Sequence, residues 1–238
     1  MTPFNTLLIL VITAAALPAT AAAQAPGFFA GLDVSGGIAR GSSSTQDGGA
    51  AFAGGGVVEN VKFGNTTGIG GHVGYQIDPA VSAFISYQYT RGDIDWDAHF
   101  PRFGVASSFS GDATSHTILA NIAYDWPLSE ATTIRATAGL GVTFNTLSGV
   151  TEREKPSSAF ASNVADHTEA GPTGQLGAAI QHYITPNAML SLNVSAAYVG
   201  AFRTGDTREG NLGVTQITPY EIRDTWRMNL GASVRMRF

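Results

Sequence analysis

The end of the chain constrains the fold most. From Trp226 to Phe238 two sets of residues alternate without a break. Trp226, Met228, Leu230, Ala232, Val234, Met236 and Phe238 form one set. Arg227, Asn229, Gly231, Ser233, Arg235 and Arg237 form the other. A helix would spread both sets around its circumference, whereas a strand puts each on its own face. The segment is therefore a strand with one wholly apolar side and one polar side that carries three arginines.

The same period recurs upstream. A first strand is expected near 28–40, with Phe28, Ala30, Leu32, Val34 and Ile38 opposite Gly31, Asp33, Ser35 and Gly37. Others are expected near 66–77 (Ile69, Val73, Tyr75, Ile77), 81–90 (Val81, Ala83, Ile85, Tyr87, Tyr89) and 114–126 (Ile118, Ala120, Ile122, Tyr124, Trp126). The segments near 132–145, 172–184 and 189–200 follow the same rule, and the C-terminal strand completes a set of eight. Three connections are tight turns built on Pro with Asp, Asn or Ser: Asp78-Pro79-Ala80, Pro127-Leu128-Ser129-Glu130 and Thr185-Pro186-Asn187-Ala188. The other four, near 41–65, 91–113, 146–171 and 201–224, are each about 20–25 residues long, which is long for a loop in a compact domain. Short and long connections alternate strictly. Transmembrane barrels do this, with short turns on the periplasmic side and long loops outside.

Alternation alone does not say which face meets water, so composition has to decide. Only 13% of residues are charged, with 29 glycines. The polar faces are small and sparsely charged, whereas a soluble barrel would carry Lys and Glu freely on its outer face. Tyr75, Tyr124, Trp126, Tyr198, Trp226 and Phe238 lie toward strand ends, as girdle aromatics do at the two membrane interfaces. The expected fold is all-β: an eight-stranded antiparallel transmembrane up-and-down barrel. Closure is required because an open strand edge in lipid leaves unpaired backbone groups.

Residues 7 to 17, LLILVITAAAL, are apolar and end at Pro18. They are too short for a spanning helix, which needs about 20 residues. Their length and the small residues Ala21 and Ala23 are those of a secretory signal cut after Ala23, although no Lys or Arg precedes Arg40. Residues 1–23 are expected to be signal and 24–238 the barrel domain. The chain has no cysteine, which excludes lipoprotein anchoring, disulfides and a thiol nucleophile. The net charge of −5, with Lys62 and Lys155 as the only lysines, argues against a nucleic-acid partner.

The opening run Phe29-Ala30-Gly31-Leu32-Asp33-Val34-Ser35-Gly36-Gly37, the segments Thr137–Val142 and Gln175–Ile180, and the terminal Phe238 resemble the small outer-membrane barrels of the OmpA/OmpX-like, opacity-type, porin-related family. The resemblance spans the whole mature chain. It implies export through the periplasm, periplasmic chaperones and the barrel assembly machinery as partners, and residence among outer-membrane lipid and lipopolysaccharide. It also implies that Phe238, with Met236, Val234 and Leu230, is the signal that the assembly machinery reads. Twelve-stranded autotransporter barrels also end in Phe, but too few strand segments are visible here for one. No peptidoglycan-binding domain follows the barrel segments.

An eight-stranded interior is just wide enough for side chains to fill it. A lumen network is expected from Asp33, His72, Gln76, Arg135, Gln175, Asn193, Arg227 and Arg235, with Gln88 and Gln181 beside them. Asp33 is expected to pair with Arg135, Arg227 or Arg235. Arg91-Gly92-Asp93 at a strand exit matches an adhesion tripeptide, a match short enough to recur by chance. Asp93, Asp95 and Asp97 alternate as cation ligands do, but without the Gly and Glu of a calcium loop. The other loop acids, Glu152 and Glu154 among them, are expected to be solvated surface charges. Ser115-His116 cannot pair as nucleophile and base, because neighbours on a strand point to opposite faces. Gly54-Gly55-Gly56 is followed by no Lys-Ser/Thr and is no phosphate loop. No cofactor or metal motif is present. The expectation is a non-enzymatic outer-membrane protein that anchors surface loops and supports envelope integrity, with a narrow channel and a surface adhesin as alternatives. Under the adhesin alternative, Phe100, Phe103, Phe109 and Phe160 are the loop aromatics that would contact a host or surface ligand.

Overall fold

The computed structural model describes residues 26–43, 57–100, 103–211 and 213–238. The expected signal segment, with Ala21 and Ala23, and Gly54-Gly55-Gly56 lie outside the described residues. The described chain is antiparallel strand: β1 (Gly27–Ser43), β2 (Val57–Phe63), β3 (Asn65–Gln76), β4 (Val81–Phe100), β5 (Val105–Pro127), β6 (Thr132–Lys155), β7 (Phe160–Val164), β8 (His167–Thr185), β9 (Ala188–Arg203), β10 (Thr207–Gly210), β11 (Gly213–Gln216) and β12 (Glu221–Arg237).

Eight of these strands close a ring. β1 pairs with β3, β3 with β4, β4 with β5, β5 with β6, β6 with β8, β8 with β9, β9 with β12, and β12 returns to β1. The chain ends meet at the seam, where the Phe238 amide donates to the Phe28 carbonyl at 3.0 Å. The three tight turns lie where the Pro signals put them. At Asp78-Pro79-Ala80 the Asp78 carboxylate accepts from the Ala80 and Val81 amides at 2.7 and 2.8 Å, a local bond that fixes the turn.

The burial pattern settles which face is which. Leu32, Val73, Ile122, Leu140, Leu176, Leu192 and Leu230 all point outward and are exposed. A ring of exposed branched aliphatics is tolerable only against lipid, since contiguous apolar patches of that size are rare on soluble monomers. Two aromatic rims bound the band. Phe28 and Tyr75 (ring centroids 5.0 Å apart), Tyr124 and Trp126 (4.5 Å) and Phe238 lie toward the tight-turn end, and Tyr198 packs on Trp226 (5.5 Å) toward the other.

The long connections differ from expectation. Most of 91–113 and 146–171 is strand, continuous with the barrel. β5 has 23 residues and β6 has 24, where a tilted membrane crossing takes about 9–11. β2 lies beside the far half of β4, while β7, β10 and β11 extend the sheet past β6. Together these strands form a head beyond the upper aromatic rim. Register shifts cluster where barrel passes into head, between Arg40 and Ser42, Ser110 and Asp112, and Ile222 and Thr225. Gly149 (φ 61°) and Gly200 (φ 79°) occur at the same level. These backbone angles are strained for residues with a side chain, and register irregularities of this kind bend the strands where barrel passes into head.

Candidate functional site

The inward faces form three layers. The lowest is a polar floor at the tight-turn end. The Arg135 guanidinium donates to both Asp125 carboxylate oxygens at 2.7 Å and to Ser82 Oγ at 3.1 Å. All three residues are buried, as are Gln76, Gln181, Tyr183, Met189, Phe29 and Arg235 around them. An ion pair held in this bidentate form, with a further bond to Ser82, fixes its own geometry.

The middle layer is less tightly packed. It surrounds a cavity of about 130 Å³ lined by, among others, Asp33, His72, Gln175, Asn193, Arg135 and Arg235. A water needs roughly 10–15 Å³ of such volume, so the cavity has room for several. His72 Nδ1 lies 2.9 Å from Asp33, Gln88 donates to Ser35 at 3.2 Å, and Asn121 donates to Ser86 at 2.9 Å.

Above this, Arg227 bonds to Thr90 Oγ1 and to Gln88 Oε1, and Ser115 donates to Asn145 at 2.6 Å. The inward face then turns apolar. Ile94, Trp96, Phe109, Leu147, Val150, Phe202, Tyr220 and Ile222 form a single buried cluster inside the head. Trp96 and Phe109 stack at 5.2 Å with planes 3° apart, and Tyr220 leans on both rings. Burial pushes the Tyr220 phenol well up from its ordinary value. Beside this core, Glu152 forms a buried ion pair with Arg208 at 3.0 Å and accepts from Ser107 and Ser162 at 2.8 and 2.6 Å. One carboxylate thereby ties β5, β6, β7 and β10 together. The buried Arg135–Asp125 pair thus lies below this cavity and the apolar core lies above it.

All eight residues expected in the lumen face inward, but their pairing differs from expectation. Asp33 does not meet Arg135, Arg227 or Arg235. It pairs with His72, because Asp33 on β1 is registered against Gly70 on β3 and so lies diagonal to His72. Arg135 is registered directly opposite Asp125 on β5 and takes that carboxylate instead. Asp125 is the partner that sequence reasoning missed, although its position between the outward Tyr124 and Trp126 already turned it inward. Gln76 donates to the Asp78 carbonyl at 2.9 Å, while Gln175 and Asn193 border the cavity. Glu152, expected among the solvated loop acids, is buried, since β6 runs on into the head.

Of the four aromatics expected on loops, Phe100 and Phe109 are core residues, while Phe103 and Phe160 remain exposed. Arg91, Gly92 and Asp93 lie in extended strand, where Arg91 binds Asp112 at 2.9 Å. Asp97 is bound by Lys155 at 2.6 Å and by Asn60 at 2.8 Å. Among the described residues no group of acids and histidines is placed to hold a metal. Ser115 faces the lumen and His116 faces outward against Tyr87.

A sequence-family model, the autotransporter β-domain, matches residues 26–237. This overturns the exclusion of that family by strand count, although the ring itself has eight strands. No curated protein matches the chain. Among solved structures the chain is similar to the outer membrane protein OprG of Pseudomonas aeruginosa (TM-score 0.57, 15% identity, 89% of this chain and 97% of that one). It is also similar to the Neisserial surface protein A (0.54, 14%, 90% and 100%) and to a major outer membrane protein of Thermus thermophilus (0.50, 11%, 88% and 99%). At these identities the likeness is one of fold.

Proposed function

The chain belongs to the autotransporter β-domain family and lies in the outer membrane of bacteria, and from that premise we propose that it is a closed, non-enzymatic anchor that presents a folded head at the cell surface. The observation that carries this reading is the pair of buried layers within the ring: the Arg135–Asp125 floor and an apolar core at the head end. A permeation path has to be wet throughout, and both layers are built of buried side chains. The head is the part that meets the outside, so envelope support and any ligand recognition fall to its surface. Within the larger family we place the protein with the small OmpA/OmpX-like barrels. We further propose that it reaches the membrane through the periplasm with a cleaved signal, chaperones and the barrel assembly machinery, and is surrounded there by lipid and lipopolysaccharide.

Planar-bilayer recording on the purified protein tests the reading. A folded, heat-modifiable protein that gives no unitary current is the expected result. Reproducible steps would replace the anchor with a narrow channel for small polar solutes. Specific binding of the protein to host or matrix surfaces, lost when Phe103 and Phe160 are changed to Ser, would turn the general display role into adhesion. Deleting Phe238 is expected to lower the amount of barrel in the outer membrane. Normal levels would remove its role as an assembly signal.

A further inference from the structure

The outward rim below the head is not uniform around the ring. On the wall made by β9, β12 and β1, Tyr198, Trp226 and Arg40 lie side by side in register. Arg223 takes the next outward position of β12, opposite Ser42, and Arg203 on β9 lies opposite Glu221. All three arginines are exposed. Arg223 holds the Glu221 carboxylate at 2.7 Å, with Asp224 next to it in the chain. Arg40 and Arg203 have no hydrogen-bond or ion-pair partner among the described residues. On the far side of the ring the outward head positions are acidic, with Asp93, Asp95 and Asp97 on β4 and Asp112 on β5. There Arg91 binds Asp112 and Lys155 binds Asp97.

Below the arginines two register rows cross the lipid face. Ile38, Met228, Ala196 and Leu176 form one, and Gly36, Leu230, Val194 and Ala178 form the next. Gly36, Ala196 and Ala178 are too small to fill their places between larger neighbours, and an apolar groove lies over them. The backbone does not demand the bare position at Gly36, since a Cβ there would meet only the Thr66 carbonyl, at 3.8 Å.

An apolar groove that opens to lipid accepts an acyl chain. Aromatics of the rim lie at the level of the lipid headgroups. An arginine at that level lays its stem on the apolar surface and keeps its head in the polar layer. Its planar fork matches phosphate in bidentate form. β12 separates β1 from β9, so about 10 Å of sheet lies between the strands of Arg40 and Arg203. One lipid reaches both only if its head is broad and carries more than one phosphate.

We propose that the β9–β12–β1 wall docks one molecule of outer-leaflet lipopolysaccharide, with its phosphates on Arg40 and Arg203 and an acyl chain in the groove over Gly36, Ala178 and Ala196. The site rests on the reading of the head as the outer end of the barrel, and deepens it: the barrel selects one glycolipid at a fixed place instead of only being surrounded by it.

Native mass spectrometry of the detergent-purified protein, titrated with lipid A that bears both its phosphates, tests the site. Lipid A stripped of phosphate and phosphatidylglycerol are the controls. One phosphorylated lipid A is expected per barrel, held about tenfold more tightly than either control. Arg40→Ser with Arg203→Ser should weaken it about tenfold. Gly36→Phe, which fills the groove from outside, should weaken it with both arginines in place. These positions face neither the lumen nor the head core, so the gel shift of the folded barrel should persist. If the double variant does not fold, the comparison of lipid A with its phosphate-free form on the unchanged protein still decides. Equal retention of the phosphate-free lipid, or unchanged retention in the double variant, would overturn the proposal. Phosphatidylglycerol held as tightly as lipid A would overturn the choice of glycolipid. Orientation is read separately. The chain has no cysteine, so Val214→Cys gives the head a single thiol for a membrane-impermeant maleimide on intact cells. A labelled head without lipid A retention sinks the docking site alone. A head labelled only after the cells are opened sinks the outward placement and, with it, the docking of an outer-leaflet lipid.

Discussion

Strand β4 passes through two environments, and its faces exchange roles between them. Below Thr90 its inward side reads Ser82, Phe84, Ser86 and Gln88, and its outward side reads Ala83, Ile85, Tyr87 and Tyr89. Above Thr90 the inward side becomes Ile94, Trp96, Ala98 and Phe100, while the outward side becomes Arg91, Asp93, Asp95 and Asp97. The period of two and the direction of each side chain do not change; what changes is the surrounding medium. In lipid the apolar face must point out and the polar remainder fills the lumen. In water the same strand obeys the ordinary rule, with charges out and a hydrophobic core within. One barrel is thus inside-out in its lower half and conventional in its upper half, and each half is held by a different kind of force.

The comparison breaks first at the two interiors. Arg135→Met leaves Asp125 buried without its partner and is expected to cost about 3–5 kcal/mol. The loss should appear as a lower denaturant midpoint for the gel-shifting barrel. Trp96→Ala removes the centre of the head core at an expected cost of about 3–5 kcal/mol. It should expose the head to protease between 91 and 113 while the barrel still resists heat. An equal loss of barrel stability in Trp96→Ala would mean that head and barrel unfold as one unit.

The two outer faces come next. Leu140 is 75% exposed and Val214 is 69% exposed, so by accessibility alone they are equivalent. Leu140 faces lipid, and Leu140→Arg is expected to cost about 2–4 kcal/mol if it lies near the bilayer midplane. Val214 on β11 faces water, and Val214→Arg should stay within about 0.5 kcal/mol of the unchanged protein. Folding yields in lipid vesicles read both. A harmless Leu140→Arg would remove the lipid assignment of that face.

The lower half is legible in the sequence because lipid demands strict alternation and Pro marks the turns. Parity alone places every inward residue expected in the lumen. The pairings are not legible, because parity fixes a face while register fixes a partner. Asp33 and Arg135 share the interior but belong to walls whose register sends one to His72 and the other to Asp125. The head is hidden for a related reason. The reversed faces of Arg91–Phe100 still alternate, but judged against the polarity of the barrel below, the charged side of β4 looks like loop surface. The same alternation with its sign reversed marks Ile94, Trp96 and Phe109 as core. Glu152 carries no such signal, since its burial depends on Arg208, Ser107 and Ser162 converging from three other strands.

The smallest expected effect concerns pH and belongs to the outer face of the head. Partial burial pushes the Asp97 carboxyl up, but hydrogen bonds from Lys155 and Asn60 outweigh it and hold the group below its ordinary value. A carboxylate with a lowered folded-state value stabilises the fold fully above the ordinary aspartate range, and the contribution is lost as pH falls through the lowered value. For an exposed pair the size is about 0.2–1 kcal/mol. Protease resistance of the head should therefore drop slightly between about pH 5 and pH 3. In Asp97→Asn that part of the pH dependence should disappear, and raised salt should weaken it in the unchanged protein. The barrel's gel shift should not move over the same window, since the Asp97 pair touches only β2, β4 and β6 within the head. A parallel pH response of the barrel would show that the two halves share a titrating group, and that group would have to be sought in the lumen.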